Sequence, residues 1–294
     1  MARARRHVKR ALWLLPAALI VAAMALLLDP LGSFNFLMPK DRASARVAEG
    51  VPYGEGARGK LDVYAPRAAA SAPRPVIVFF YGGSWNSGRR QGYAFAGRAL
   101  AAQGFVVVIP DYRLVPEVRY PDFLRDGAAA VRWARRNAAR FGGDGERIVL
   151  AGHSAGAYNA AMLALDPGLL GADRAAVRGL AGLAGPYDFL PLDDEATIAA
   201  FGQWPRLAET QPVSHAGPGA PPALLLHGDS DTRVMPRHSR ALAARLEKAG
   251  ADVRLKLYPG VGHVGILADV AIPFRRRAPV LADVAAFGHE VAGH

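Results

Sequence analysis

The chain has 294 residues, 51% of them hydrophobic and 21% charged, enough apolar material for a full core, which excludes a disordered or fibrous protein. It has no cysteine, so disulfides, thiolate metal sites, iron–sulfur clusters and a cysteine nucleophile are excluded as well. The net charge is +11, but five cations (Arg3, Arg5, Arg6, Lys9 and Arg10) fall in the first ten residues, and the later run Arg275-Arg276-Arg277 is too short to point to nucleic acid.

In chain order, the basic residues 1–10 precede Ala11–Leu28, an uncharged and almost wholly apolar stretch. As a helix these residues span about 27 Å at ~1.5 Å per residue, close to the hydrocarbon thickness of a bilayer. Pro16 lies in the first two turns, where a membrane helix kinks rather than breaks. The positive-inside rule keeps the N-terminus in the cytoplasm and sends the rest of the chain across. The expectation is one N-terminal transmembrane helix over 11–28, a signal-anchor, with everything after it on the non-cytoplasmic (periplasmic or extracytoplasmic) side. A cleaved signal peptide, giving a secreted protein, is the alternative. Its apolar core is usually shorter and ends in small residues, whereas this one ends Leu26-Leu27-Leu28-Asp29-Pro30.

Residues 29–59 mix Gly, Pro, Ser and charge without a sustained period and read as a linker and lead-in. From Lys60 onward strands and helices alternate. Strands are predicted at Leu61–Tyr64, Val76–Phe80, Phe105–Ile109, Arg147–Ala151, Val177–Leu183, Ala223–His227 and Val253–Tyr258. Helices are predicted at Tyr93–Gln103, Pro121–Phe141, Ser154–Leu165, Pro236–Ala249 and Ala278–Val291. This alternation implies a mainly parallel sheet with helices on both faces, whose chemistry belongs at the carboxyl ends of the strands.

Gly152-His153-Ser154-Ala155-Gly156 is a G-x-S-x-G sequence between a predicted strand and a predicted helix, the context of a nucleophile elbow. Glycines on either side let strand and helix approach, leaving the serine oxygen at the sheet edge. The N–H of Ala155 then stands at a helix N-terminus, where partial positive charge stabilises an oxyanion. Tyr81-Gly82-Gly83-Ser84-Trp85 follows another strand, and its Gly83 and Ser84 N–H groups are candidates for the other oxyanion donors. A serine nucleophile needs a base, and the base an orienting acid. The stretch from His227 through Gly228 and Asp231 to Val234 follows a strand and makes Asp231 the candidate acid, with Asp229 better suited to capping the turn. His263, on the Gly-rich loop after the last strand, is the candidate base.

With these residues in hand the chain resembles the α/β-hydrolase superfamily. More closely it resembles the esterases with an HGG-type oxyanion motif: carboxylesterases, feruloyl-esterase-like proteins and kynurenine formamidases. The resemblance runs from Leu61 to the C-terminus. It includes Leu61-Asp62-Val63-Tyr64, Asp111-Tyr112-Arg113-Leu114, Phe141-Gly142-Gly143-Asp144 and Gly185-Pro186-Tyr187-Asp188 beside the motifs above. The family usually has histidine where this chain has Tyr81. The resemblance implies an α/β-hydrolase catalytic domain over 60–294 and hydrolysis of a small-molecule carboxylic ester through an acyl-enzyme on Ser154. Such chemistry needs no metal or organic cofactor. An amidase or formamidase, and an inactive membrane-tethered binding protein, are the alternatives. Only residues 186–220 are expected to cover the site, as a small lid.

Overall fold

The computed structural model describes residues 29–293. The basic leader and the predicted transmembrane segment at 11–28 lie outside the described residues. Among the described residues no helix is long and apolar enough to cross a membrane.

The described chain opens with helix α1 (Pro30–Leu37) and strand β1 (Ser44–Pro52), where a linker had been expected. The helix has its own local start signal, since the Asp29 side chain accepts from the Gly32 N–H at 2.9 Å and Pro30 takes the first helical position. Register shifts between Arg46 and Ala48 and between Ala48 and Val51 interrupt the side-chain alternation of β1, which explains why no period of two is visible there.

Then come β2 (Lys60–Pro66), β3 (Arg74–Phe80), α2 (Ala94–Ala102), β4 (Val106–Pro110), α3 (Asp122–Asn137), β5 (Gly143–His153), α4 (Ala155–Leu165), the single turn α5 (Pro167–Leu170) and β6 (Val177–Leu183). The chain finishes with α6 (Glu195–Phe201), β7 (Ala223–Gly228), α7 (Arg237–Lys248), β8 (Val253–Tyr258), α8 (His263–Ala268) and α9 (Val280–Ala292).

The eight strands form one sheet in the order β1-β2-β4-β3-β5-β6-β7-β8. The β1–β2 and β2–β4 pairs are antiparallel and the remaining pairs parallel. The central strands are buried on both faces, which is why β3 and β4 read as unbroken apolar runs. Side chains of β3 alternate between faces: Phe80 meets α3 near Gly127, while Phe79 meets the Tyr93 ring just before α2. Helices α3 and α4 pack on the first face, and α2 and α9 on the second. Helix α4 is buried along its whole length, as its Ala-rich, uncharged sequence requires. This α/β-hydrolase-like architecture brings the ends of β3, β5, β7 and β8 to one edge of the sheet.

Candidate functional site

The elbow after β5 is sterically determined. A Cβ on Gly152 would lie 2.3 Å from the Gly156 carbonyl oxygen, and a Cβ on Gly156 would lie 2.1 Å from that of Phe80. Only glycine at both places lets the strand pass straight into α4 beside β3. Between them Ser154 has φ 57° and ψ −127°, a conformation that costs a non-glycine residue about 1–3 kcal/mol and persists only where its surroundings enforce it. The Ser154 N–H is fixed on the Leu183 carbonyl at 2.9 Å, and its carbonyl accepts from the N–H groups of Ala157 and Tyr158, so the turn is held at both ends.

The predicted partners converge on this serine. His263 Nε2 lies 2.9 Å from Ser154 Oγ, and its Nδ1 lies 2.7 Å from Asp231 Oδ2. The imidazole therefore donates from Nδ1 to the carboxylate and accepts the hydroxyl proton at Nε2. All three residues are buried. His263 is the first residue of α8 rather than part of a loop. The three glycine-flanked residues before it, Gly260-Val261-Gly262, hide a six-residue helix from a periodicity search.

Asp231 closes a turn after β7, its Oδ1 accepting from the Arg233 N–H at 3.0 Å and the Val234 N–H at 2.9 Å. Burial works against its ionised form. The N–H groups of His227, His263 and Val234 outweigh burial and hold its carboxyl well below the ordinary carboxylate range. Asp229 takes the capping role expected of it, accepting from Gly260 N at 2.8 Å and Ser230 Oγ at 2.9 Å, and so ties the acid loop to the histidine loop.

Two further histidines support the site from behind. His227 Nε2 donates to the Val234 carbonyl at 2.7 Å and lies 3.3 Å from Asp231 Oδ2, while its Nδ1 accepts from Ser239 Oγ at 2.7 Å. It thus clamps the acid turn from below. His153 Nε2 donates to the His263 carbonyl at 3.0 Å, and the two rings sit 4.9 Å apart. Burial first, and the neighbouring His263 second, push the His153 pKa down to about 3, so it stays neutral and acts as a fixed donor. The only sequence signal for either is position, next to Ser154 for His153 and four residues before Asp231 for His227.

The loop after β3 is equally constrained. Gly83, Ser84 and Trp85 have φ of 134°, 50° and 57° in succession. A Cβ on Gly83 would lie 2.3 Å from the Ser87 carbonyl oxygen, so only glycine is tolerated there. Trp85 anchors the loop, its Nε1 donating to Asn159 Oδ1 at 3.1 Å and its ring packing edge-on against Tyr158 and Phe201. Tyr81 stands in for the usual histidine by stacking between Tyr112 and Tyr93, with ring centroids at 4.7 and 5.6 Å, and its hydroxyl accepts from Arg58 at 3.1 Å. Tyr93 Oη accepts the Gly82 N–H at 3.0 Å. That bond engages the first N–H of the loop, and the next two residues, Gly83 and Ser84, line the cavity.

A cavity of 780 Å³ opens over these groups. Gly83, Ser84, His153, Ser154 and His263 all line it. Ala155 does not, although as the first residue of α4 it directly follows the serine and its N–H lacks an intrahelical acceptor. Asp231 sits behind His263, away from the lining. The expected lid is corrected by the structure: no residue of 186–220 lines the cavity, whereas Asp29, Pro30, Leu31 and Phe34 do. The 186–220 segment instead packs its aromatic residues Phe189 and Phe201 against Trp85 and Tyr158, behind the loop after β3.

Known proteins share sequence and fold with this chain. Esterase LipC of Mycobacterium tuberculosis is 32% identical over 265 residues, covering 82% of this chain and 64% of that one. Isoprenylcysteine alpha-carbonyl methylesterase ICME of Arabidopsis thaliana is 29% identical over 248 residues, covering 76% and 58%. The chain thus spans little more than half to under two thirds of the length of these relatives. Esterase B from Lactobacillus rhamnosis has the same fold, with a TM-score of 0.80 at 20% identity over 94% of this chain and 95% of that one. The BD-FAE family model matches residues 61–246, which include the loop after β3, the elbow and Asp231, and the chain belongs to that family of α/β hydrolases.

Proposed function

We propose that this protein is a serine hydrolase of carboxylic esters. The observation that carries the reading is the unbroken line from Asp231 through His263 to Ser154, opening at the foot of a cavity also lined by Gly83 and Ser84. Esterase relatives and an α/β-hydrolase family model support the same class.

In the reaction, Ser154 Oγ attacks the ester carbonyl as its proton passes to His263 Nε2. Asp231 holds the imidazole in the tautomer with hydrogen on Nδ1 and stabilises the imidazolium. The N–H groups of Gly83, Ser84 and Ala155 receive the oxyanion, each such donor typically supplying ~3–4 kcal/mol to the barrier reduction. His263 returns the proton to the departing alkoxide, giving the alcohol and an acyl-Ser154. Water then attacks the acyl-Ser154, losing a proton to His263, which passes it to Ser154 Oγ as the carboxylic acid leaves. We further propose that residues 11–28 tether the catalytic domain to a membrane, on the strength of their length, lack of charge and basic leader.

The test is a panel of p-nitrophenyl acyl esters from acetyl to palmitoyl, with N-formylkynurenine beside them and Ser154→Ala as control. Serine-dependent turnover of the esters, with labelling of Ser154 by a fluorophosphonate, is expected. Turnover confined to the formamide would move the reading to an amidase. No labelling of folded protein would remove the hydrolase reading altogether.

A further inference from the structure

We propose that the exposed apolar rim of the cleft, made by Phe36, Leu37, Val264, Ile272 and Phe274, seats on an anionic phospholipid bilayer, and that the substrate is a membrane-borne ester with a long apolar group. The proposal rests on the ester-hydrolase and membrane-tether readings above.

The cleft wall is the first link. Leu31 and Phe34 of α1 and Val264, Leu267 and Ala268 of α8 line the same cavity as Ser154. An acyl chain or lipid alcohol lying between these two helices reaches the serine along an apolar path, whereas an acetyl ester touches little of it.

Helix α1 is held firmly in place. Asp29 pairs with Arg89, and Asn35 Oδ1 accepts the Phe95 N–H at 2.9 Å. The Phe34 ring meets Phe95 edge-on at 5.1 Å and stacks on Phe274 at 6.1 Å. Wall and rim are therefore one packed unit that joins α1 to the 272–277 turn.

The outer side of that unit is bare. Phe36 is 85%, Val264 66% and Leu37 62% exposed, and α1 buries none of its residues. Single exposed apolar residues are ordinary, but five of the eight large ones among the described residues cluster on these segments.

The direction of the chain identifies the occupant. Asp29, at the cavity lining, is joined directly to the apolar run 11–28. Helix α1 is about 12 Å long at ~1.5 Å per residue, so a bilayer entered at Leu28 lies within that reach of Phe36 and Leu37. Asp41 pairs with Arg275 at 2.6 Å, which sets the exposed Arg42 and Arg276 beside the same rim. Apolar side chains flanked by cations are the chemistry of an anionic lipid interface.

The chain lacks cysteine, so single labels are clean. Full-length protein carrying Phe36→Cys, or Ala139→Cys at the opposite edge of the sheet, would be labelled with an environment-sensitive fluorophore. Each is then reconstituted in phosphatidylcholine–phosphatidylglycerol vesicles with or without headgroup spin-labelled lipid. The position-36 label should be quenched by that lipid and the position-139 label should not. A position-36 label that stays unquenched and solvent-like overturns the proposal. So does one that is blue-shifted without quenching, because residues 11–28 of the same chain would then cover the rim.

Resistance to alkaline carbonate extraction reports the tether reading separately, and hydrolysis of soluble p-nitrophenyl acetate reports the hydrolase reading. With both intact, Phe36→Asp combined with Leu37→Asp should lower hydrolysis of vesicle-embedded 4-methylumbelliferyl oleate about tenfold and leave p-nitrophenyl acetate within about twofold. Equal rates on both esters before and after the substitutions would overturn delivery from the bilayer.

Discussion

Asp231 illustrates how one carboxylate is kept ready by its neighbours. Its Oδ1 is committed to two backbone N–H groups and its Oδ2 to His263, with His227 close behind. Replacing it with asparagine keeps the shape of the turn but removes the charge that stabilises an imidazolium and favours the wrong histidine tautomer. Asp231→Asn is expected to lower kcat by about 10⁴ with little change in KM. Steady-state kinetics on a p-nitrophenyl ester would show this, and a fall below tenfold would mean that the acid does not orient His263. A different residue-scale cost belongs to Tyr93, whose hydroxyl accepts the Gly82 N–H at one end of a stack of three tyrosines. Tyr93→Phe leaves that N–H buried without a partner and should destabilise the fold by about 1–3 kcal/mol, read as a lower urea midpoint at unchanged slope.

Among the elements, the turn carrying Arg90 binds the antiparallel half of the sheet to the site. Its guanidinium donates to Asp62 on β2 at 2.7 Å and pairs with Asp111 after β4, and both carboxylates are buried. Arg90→Met would strand two carboxylates away from water, which typically costs about 3–5 kcal/mol and would show as a large fall in Tm. Helix α1 acts instead on the cavity. Because Phe34 lines the cleft and packs on Phe95 and Phe274, Phe34→Ala should raise KM for decanoyl or longer esters while leaving acetyl ester kinetics almost unchanged. A uniform rise across chain lengths would show that α1 only supports the fold.

Across the whole molecule the buried histidines set the acid limit. His153 has its pKa pushed down to about 3 from 6.5, by burial first and by His263 next. Its folded value therefore lies below its unfolded one. Between those two pH values the unfolded chain binds a proton that the folded chain refuses. Stability from this group is fully present above pH 6.5 and is lost as pH falls toward 3, at up to about 1.4 kcal/mol per pH unit. His238, pushed down to about 4 mainly by burial, adds a loss of the same sign. Urea midpoints at pH 7, 6 and 5 should fall steadily in the wild type and more shallowly in His153→Gln.

What the sequence determined by itself is whatever local sterics and chain polarity dictate. The apolar runs of β3 and β4 announce strands buried on both faces, and the glycines beside Ser154 admit only a tight strand-to-helix turn. The acid and histidine positions follow because each stands just past the carboxyl end of a strand, where a parallel sheet gathers its loops. Tertiary structure decided what depends on contacts between residues far apart in the chain. No local pattern relates Asn35 to Phe95, Phe34 to Phe274 or Asp62 to Arg90, so the cleft wall built from a supposed linker was invisible, as was the buried ion network. The supporting roles of His153 and His227 were hidden for the same reason. A histidine in a turn becomes a clamp only when folding delivers a carbonyl oxygen from another part of the chain to one of its ring nitrogens.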